Sequence, residues 1–210
     1  MSKRKKIVFV LSGVFGILLG LNAPILLIYP VFVGAVLLKL RFPKIKPPAL
    51  RFLLVTMLCT LFMESLAWLD NFIPNRADPA LFHPQLIPDL LIGIGVYLGW
   101  WLGWVVILHF YKFSITEVFI ITGLYGILME QNGAVFWAGL SSMPYGILLW
   151  AFVFVVYGST MALAVYLVNE QFKGKRKSRV KFPLAWIGLF IATYIGFLAW
   201  NIPLDVLNIL

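Results

Sequence analysis

The sequence is poor in charged residues, and the acidic ones are the scarcest. Asp and Glu number 8 against 17 Lys and Arg in 210 residues, and charged residues make up 12% of the chain against 62% for hydrophobic ones. A soluble domain of this length needs far more charge to cover its surface. The composition therefore excludes an ordinary soluble domain.

Cysteine and histidine are also scarce. Cys59 is the only cysteine, so no intrachain disulfide can form. The two histidines, His83 and His109, do not form any of the short spacings that are typical of zinc sites. The G-x-S-x-G pattern of a serine nucleophile is missing too. These shortages disfavour a histidine- or cysteine-based metal site and nucleophilic catalysis.

What the chain has in abundance is long apolar runs, several of which reach the roughly 20 residues that a helix needs to span a bilayer. The runs are continuously apolar, whereas a transmembrane β-barrel alternates apolar and polar residues. We therefore predict an all-α polytopic integral membrane protein, a single domain over residues 1–210. It forms a compact bundle of about seven transmembrane helices, or of five plus a re-entrant pair. The predicted helices cover residues 7–21, 24–39, 52–69, 88–110, 115–139, 145–168 and 183–201.

The basic residues fall at regular places along the chain. Of the 17, 16 lie in four segments, at residues 3–6, 39–51, 112 and 173–181. Because cytoplasmic loops carry an excess of Lys and Arg, this pattern predicts a cytoplasmic N-terminus and an outer C-terminus. We expect a multi-pass protein of a prokaryotic cytoplasmic membrane. Its expected partner is the lipid bilayer, with anionic headgroups at the basic residues, and nucleic acid is not expected.

Glycines recur every three or four residues on two of the predicted helices. Gly95, Gly99 and Gly103 lie on one face of helix 88–110, and Gly13, Gly16 and Gly20 recur on helix 7–21. Such small-residue faces let another helix approach closely. The neighbour is expected to be another helix of this chain or another membrane subunit.

Two glutamates lie within the predicted spans. Ser114 and Glu117 form a capping-box pattern that starts a helix, which we expect to continue unbroken to residue 139. By helical rise Glu130 then lies about 23 Å along a hydrocarbon core about 30 Å thick, and Glu64 lies about 18 Å along helix 52–69. Ionisable residues at such depth are costly and usually functional.

No Lys or Arg is predicted at the depth of Glu64 and Glu130. They can be protonated and hydrogen-bonded by Gln131, Asn132 or a tyrosine, they can share one proton, or they can hold a cation. We predict that these two glutamates carry the chemistry as one unit. Residues expected to contact a lipid-like or small-molecule ligand are Asn132, Gln131, Asp70, Asp89, His83, Trp100, Trp104 and Tyr145.

Several of these residues have a simpler interpretation. Asp89 can serve the dipole of a helix that starts near Pro88. Trp100 and Trp104 share one helix face and can be ordinary core. No metal ligand is predicted, although an oxygen-rich site for a divalent cation from Glu64, Asp70, Asp89 and Glu130 is an alternative. The sequence identifies no cofactor.

Three functions remain compatible with this sequence. The first is a small membrane carrier, or the substrate-binding membrane subunit of a transporter, with the carboxylates as a proton or cation relay. The second is an intramembrane enzyme that acts on a lipid or isoprenoid by acid–base chemistry. The third is an accessory subunit of a larger membrane complex. We favour the carrier, because unpaired carboxylates within apolar helices occur here without a recognisable catalytic motif.

Overall fold

The computed structural model describes residues 3–73, 83–168 and 178–206, and within these ranges the regular elements are helices. In chain order they are α1 (Lys3–Gly20), α2 (Ile28–Leu37), α3 (Pro48–Phe72), α4 (Leu86–Phe110), α5 (Ile115–Met129), α6 (Ala134–Ser141), α7 (Gly146–Val168) and α8 (Lys181–Val206). Two 3₁₀ turns, Pro24–Leu27 and Glu130–Gly133, precede α2 and α6. The predicted all-α class is confirmed for the described part of the chain.

Two helix starts follow directly from the sequence. α3 begins at Pro48, where a proline costs nothing because the first helical N–H has no intrahelical partner. α5 begins after Ser114, whose hydroxyl accepts from the Glu117 N–H at 3.2 Å, while the Glu117 carboxylate accepts from the Ser114 N–H at 2.7 Å. The predicted capping box is confirmed.

Four segments are long and apolar enough to cross a membrane: α3, the α5–α6 segment Ile115–Ser141, α7, and residues Lys181–Trp200 of α8. α4 adds a fifth if its two parts, Leu86–Gly95 and Tyr97–Phe110, count as one span bent by 41°. The segment Pro24–Leu37 is apolar but shorter. The described residues therefore form a helical bundle with four to five segments of membrane-spanning length.

The helices pack in two groups that meet at α3. α7 contacts α2, α3, α5 and α6, whereas α4 packs on α3 and most closely on α8. Between them lies a core rich in aromatic side chains, with Trp100, Trp104 and Phe52 almost fully buried.

Both glycine faces are used inside the chain. A Cβ atom placed on Gly99 would lie 2.0 Å from the carbonyl oxygen of Ala192 in α8, and one on Gly13 would lie 2.8 Å from Val33 in α2. The close helix crossings predicted at these glycines therefore occur, and they are made by helices of the same chain.

The described parts of the basic segments lie at one end of the bundle, called here the basic end. The Phe42 N–H donates to the carbonyl of Leu167 at 3.1 Å, and the Arg51 guanidinium donates to the carbonyls of Phe42 and Leu167. Arg41 donates to the carbonyl of Tyr166 at 3.2 Å. These donors satisfy carbonyls in the last turn of α7 that have no partner within the helix. Arg41 and the buried Arg51 thus serve the fold.

Candidate functional site

The principal polar group inside the bundle consists of Glu64, Tyr97, Asp89, Tyr157 and Glu130, called here the carboxyl–tyrosine cluster. Its members come from α3, α4, the turn after α5, and α7. The cluster lies between the two groups of helices, where the core is otherwise apolar.

Glu64 is held by partners on α4. It is 6% exposed, and its carboxylate accepts a hydrogen bond from the Tyr97 hydroxyl. Asp89, in the first turn of α4, is close enough to Glu64 for a side-chain hydrogen bond and for charge repulsion. The Asp89 carboxylate also accepts a hydrogen bond from the backbone N–H of His83, at 2.9 Å. Asp89 therefore serves the start of α4 and also adds a second carboxyl beside Glu64.

Glu130 lies at a break in the span, and the prediction of one unbroken helix over 115–139 is wrong in this respect. α5 ends at Met129, and Gln131, Asn132 and Gly133 have positive φ angles of 50°, 56° and 88°. Asn and Gly tolerate this left-handed conformation better than other residues, which is why the break falls on them. The continuous apolar pattern on both sides hides the break in the sequence.

Tyr157 on α7 donates its hydroxyl hydrogen to the Glu130 carboxylate. The ring reaches this position because Gly126 lies opposite it on α5. A Cβ atom on Gly126 would be 2.4 Å from Cγ of Tyr157. Gly126 therefore positions Tyr157, and the glycine lies one turn before the carboxylate that the tyrosine binds.

The two glutamates belong to one electrostatic group. The charge of Glu130 acts on Glu64, and Tyr97 and Tyr157 each interact with both glutamates. By helical rise, Glu64 lies about 24 Å from the start of α3 and Glu130 about 23 Å from the start of α5. Glu64 and Glu130 are therefore near enough for their charges to interact, and their action as one unit stays a prediction.

The two tyrosines are placed by a similar geometry. Tyr97 and Tyr157 each lie about 17 Å by helical rise from the first residue of α4 and α7. The α3–α4 pair thus contributes Glu64 from α3 and Tyr97 from α4, and the α5–α7 pair contributes Glu130 from the turn after α5 and Tyr157 from α7. Tyr97 and Tyr157 are the members that the predicted site residues do not include; the sequence analysis expected a tyrosine donor without naming one.

The two tryptophans expected at the site have different surroundings. Trp100 packs against the rings of Tyr97, Tyr125 and Tyr157, with centroid distances of 6.1, 6.2 and 5.7 Å. Trp104 instead packs edge-on against Phe113 at 5.7 Å, towards the basic end. Trp100 therefore forms an aromatic wall of the cluster, whereas Trp104 is core.

The remaining predicted contact residues have different surroundings. Gln131 and Asn132 are exposed at the break, and tyrosines take the hydrogen-bonding role that was considered for them. His83 accepts a bond from the Gln85 N–H through Nδ1, at 3.0 Å. Asp70 is buried near the end of α3. Tyr145 is 78% exposed in the turn before α7, so the structure does not bring it into the cluster.

The side chains of the cluster are carboxyl and phenol groups. Among the described residues, no three His, Cys, Asp or Glu side chains are grouped so that they could hold a metal ion. The cluster offers carboxylates and phenol hydroxyls, which can exchange protons along hydrogen bonds. The cluster therefore combines proton donors and acceptors inside an otherwise apolar core.

The fold and composition together indicate a helical membrane protein with a polar cluster enclosed by its helices. Comparisons with protein-family models, with curated proteins and with solved structures found no match to this chain. Its function has to be inferred from the cluster itself.

Proposed function

We propose that the protein is a small membrane carrier, or the substrate-binding membrane subunit of a transporter. In this proposal Glu64 and Glu130 relay a proton or another small cation. The observation that carries it is the pair of glutamates in one electrostatic group, each bonded to a tyrosine hydroxyl. Because the cluster has no basic member, Glu64 and Glu130 favour a proton or another positively charged species beside them.

The break at Glu130 supports the same function. Helices that cross membranes are interrupted where backbone lines a cavity or a binding site, because an open backbone facing lipid is too costly. Discontinuous helices of this kind form ion and substrate sites in many transporters. Glu130 is half-buried and its neighbours Gln131 and Asn132 are exposed, so this side of the cluster offers access.

The membrane arrangement belongs to the same proposal. We place the basic end in the cytoplasm, with seven crossings if α1 and the Pro24–Leu37 segment both span, or five plus a re-entrant pair. The proposed location is a prokaryotic cytoplasmic membrane. The partition of the basic residues supports the orientation.

Proton flux in liposomes tests the relay. Purified protein is reconstituted with a trapped pH-sensitive dye, a pH gradient is imposed, and the membrane potential is clamped with valinomycin and potassium. We expect the wild type to dissipate the gradient faster than empty liposomes, and Glu64→Gln and Glu130→Gln to abolish the difference. The double variant should be no worse than either single one, because residues that act as a unit are not additive.

The melting temperature in detergent checks that the variants fold. It should stay near the wild-type value in Glu64→Gln and Glu130→Gln, because Gln keeps the shape of Glu. Repeating the assay with sodium, potassium and an organic cation covers other cargoes. A wild-type protein that moves none of these faster than empty liposomes would contradict the proposal.

An intramembrane enzyme is the second candidate, and the aromatic wall at Trp100 favours it. Two carboxyls beside stacked rings can perform acid–base chemistry on an apolar substrate. Incubation with a lipid extract followed by mass spectrometry separates the two functions. An enzyme changes the masses of lipids, whereas a carrier leaves them unchanged.

A further inference from the structure

A groove separate from the cluster runs between α5 and α8 near the basic end. Its volume is about 400 Å³, and its walls include Ile120, Leu124, Phe182 and Trp186. No cluster residue lines it, so the groove is a different feature from the relay. Ile120, Leu124 and Phe182 are 45%, 40% and 39% exposed, which shows that the groove opens on the outer surface of the bundle.

The mouth of the groove carries a positive excess. Glu117 lines it, and its carboxylate is paired with the Lys181 ammonium at 2.7 Å. The same ammonium donates to the carbonyl of Lys112 at 2.8 Å, which places Lys112 beside the mouth. Arg179 lies two residues before Lys181, and both Lys112 and Arg179 are exposed. Among the residues that the structure describes at this mouth, the Glu117 charge is neutralised by Lys181, and the exposed Lys112 and Arg179 side chains carry the positive charge.

An apolar groove that opens outward beside two exposed cations has the chemistry of a lipid site. In a bilayer the open side of the groove faces acyl chains, and basic residues at a membrane surface attract anionic headgroups. We propose that this groove holds an acyl chain of one anionic phospholipid, whose phosphate binds Lys112 and Arg179. The site does not depend on the carrier function.

Native mass spectrometry of the full chain in detergent tests the site. The probes are phosphatidylglycerol and phosphatidylcholine with identical acyl chains. We expect one phosphatidylglycerol to bind each chain about tenfold more tightly than phosphatidylcholine, and the preference to weaken as ionic strength rises, because charges on a surface are screened.

Paired variants separate the headgroup from the groove. Lys112→Ala with Arg179→Ala should remove the preference for phosphatidylglycerol. The control is Lys44→Ala with Lys46→Ala, which removes the same charge. Lys44 and Lys46 are exposed at the same basic end but do not line the groove, so this variant should keep the preference for phosphatidylglycerol. Leu124→Trp, which fills the groove, should lower the binding of both lipids.

The melting temperature without lipid identifies variants that fail to fold, and Ile120→Trp on the open side of the groove replaces Leu124→Trp if needed. The preference for phosphatidylglycerol could fall equally in the Lys112→Ala/Arg179→Ala variant and in the Lys44→Ala/Lys46→Ala variant. That result would mean that only the net charge matters, and it would overturn the site. Lipid binding that is unchanged in the groove-filling variant would also overturn the proposed site. So would a mass spectrum in which a second copy of the chain is bound instead of a lipid.

Discussion

At the scale of single residues, the hydroxyl groups of two tyrosines replace the usual ion-pair partners of buried carboxylates. Hydrogen bonds to a charged acceptor are roughly twice as strong as neutral ones, so a phenol can stabilise a carboxylate where Lys or Arg is missing. Unlike Lys and Arg, a phenol adds no charge. Tyr97 and Tyr157 therefore leave the negative charge of the carboxylates without a counter-charge, which in the proposed carrier is supplied by the proton or cation.

Removing one hydroxyl should impair the relay and spare the fold. Tyr97→Phe and Tyr157→Phe keep the ring and lose a hydrogen bond to a charged group, which is worth about 1.5–3 kcal/mol. We expect proton flux to fall by about tenfold or more in each variant.

The matched control is Tyr125→Phe. Tyr125 is also buried and also packs on Trp100, but its hydroxyl bonds to Thr193 at 2.5 Å. Flux should stay near the wild-type rate in this variant. Equal loss of flux in all three variants would show that the tyrosines act only through packing.

At the scale of elements, the α4–α8 contact depends on a missing side chain. We expect Gly99→Ala to destabilise the protein by about 1–3 kcal/mol, the usual cost of overpacking. At about 2–4 °C per kcal/mol for a chain of this size, the melting temperature in detergent should drop by several degrees.

Gly188 on α8 provides the control for this contact. A Cβ atom there would lie 3.7 Å from the side chain of Ile107 on α4, an ordinary contact distance. Gly188→Ala should therefore leave the melting temperature unchanged or slightly higher. The close crossing is refuted if the two alanine variants melt alike.

Adding a glycine and removing a glycine in the break after α5 should change the stability of the protein in opposite directions. Gln131 pays about 1–2 kcal/mol for its left-handed conformation, and glycine itself costs about 0.5–1 kcal/mol of entropy. Gln131→Gly should therefore raise stability by up to about 1 kcal/mol, while Gly133→Ala should lower it. Thermal unfolding of both variants measures this, and a Gly133→Ala variant as stable as the wild type would argue for a different backbone.

Most of the helices could be predicted from the sequence, because the existence of a helix depends on local patterns. The capping box at Ser114 and the glycine contacts on α4 follow from short spacings in the sequence. The break at Glu130 could not be predicted, since apolar residues continue on both sides and only backbone angles reveal it. The Tyr97 bond to Glu64 joins residues 33 apart on different helices, so it requires knowledge of which helices are neighbours.

At the scale of the whole molecule, the basic end predicts the orientation in the membrane. We expect Lys112→Cys to be labelled from the cytoplasm and Ser142→Cys from outside, each in a Cys59→Ser background. Both positions are exposed, and they lie at opposite ends of the α5–α6 segment. Membrane-impermeant maleimides added to intact cells and to inverted vesicles measure the side.

Position 78, in the predicted outer loop, lies outside the described residues and offers an independent outer label. Labelling of positions 78 and 142 from the cytoplasm alone would reverse the orientation. Labelling of positions 112 and 142 from one side would remove the α5–α6 crossing.

The equal placement of the two glutamate–tyrosine pairs has an electrical consequence. A membrane voltage does work on a charge only when the charge moves along the membrane normal, about 2.3 kcal/mol per elementary charge for a full crossing at 100 mV. In the proposed carrier, Glu64 and Glu130 lie about 23–24 Å from the basic ends of their helices, so a proton that passes between them moves nearly parallel to the membrane. This transfer is electrically silent, and any voltage dependence of transport arises in the steps that connect the cluster with either side.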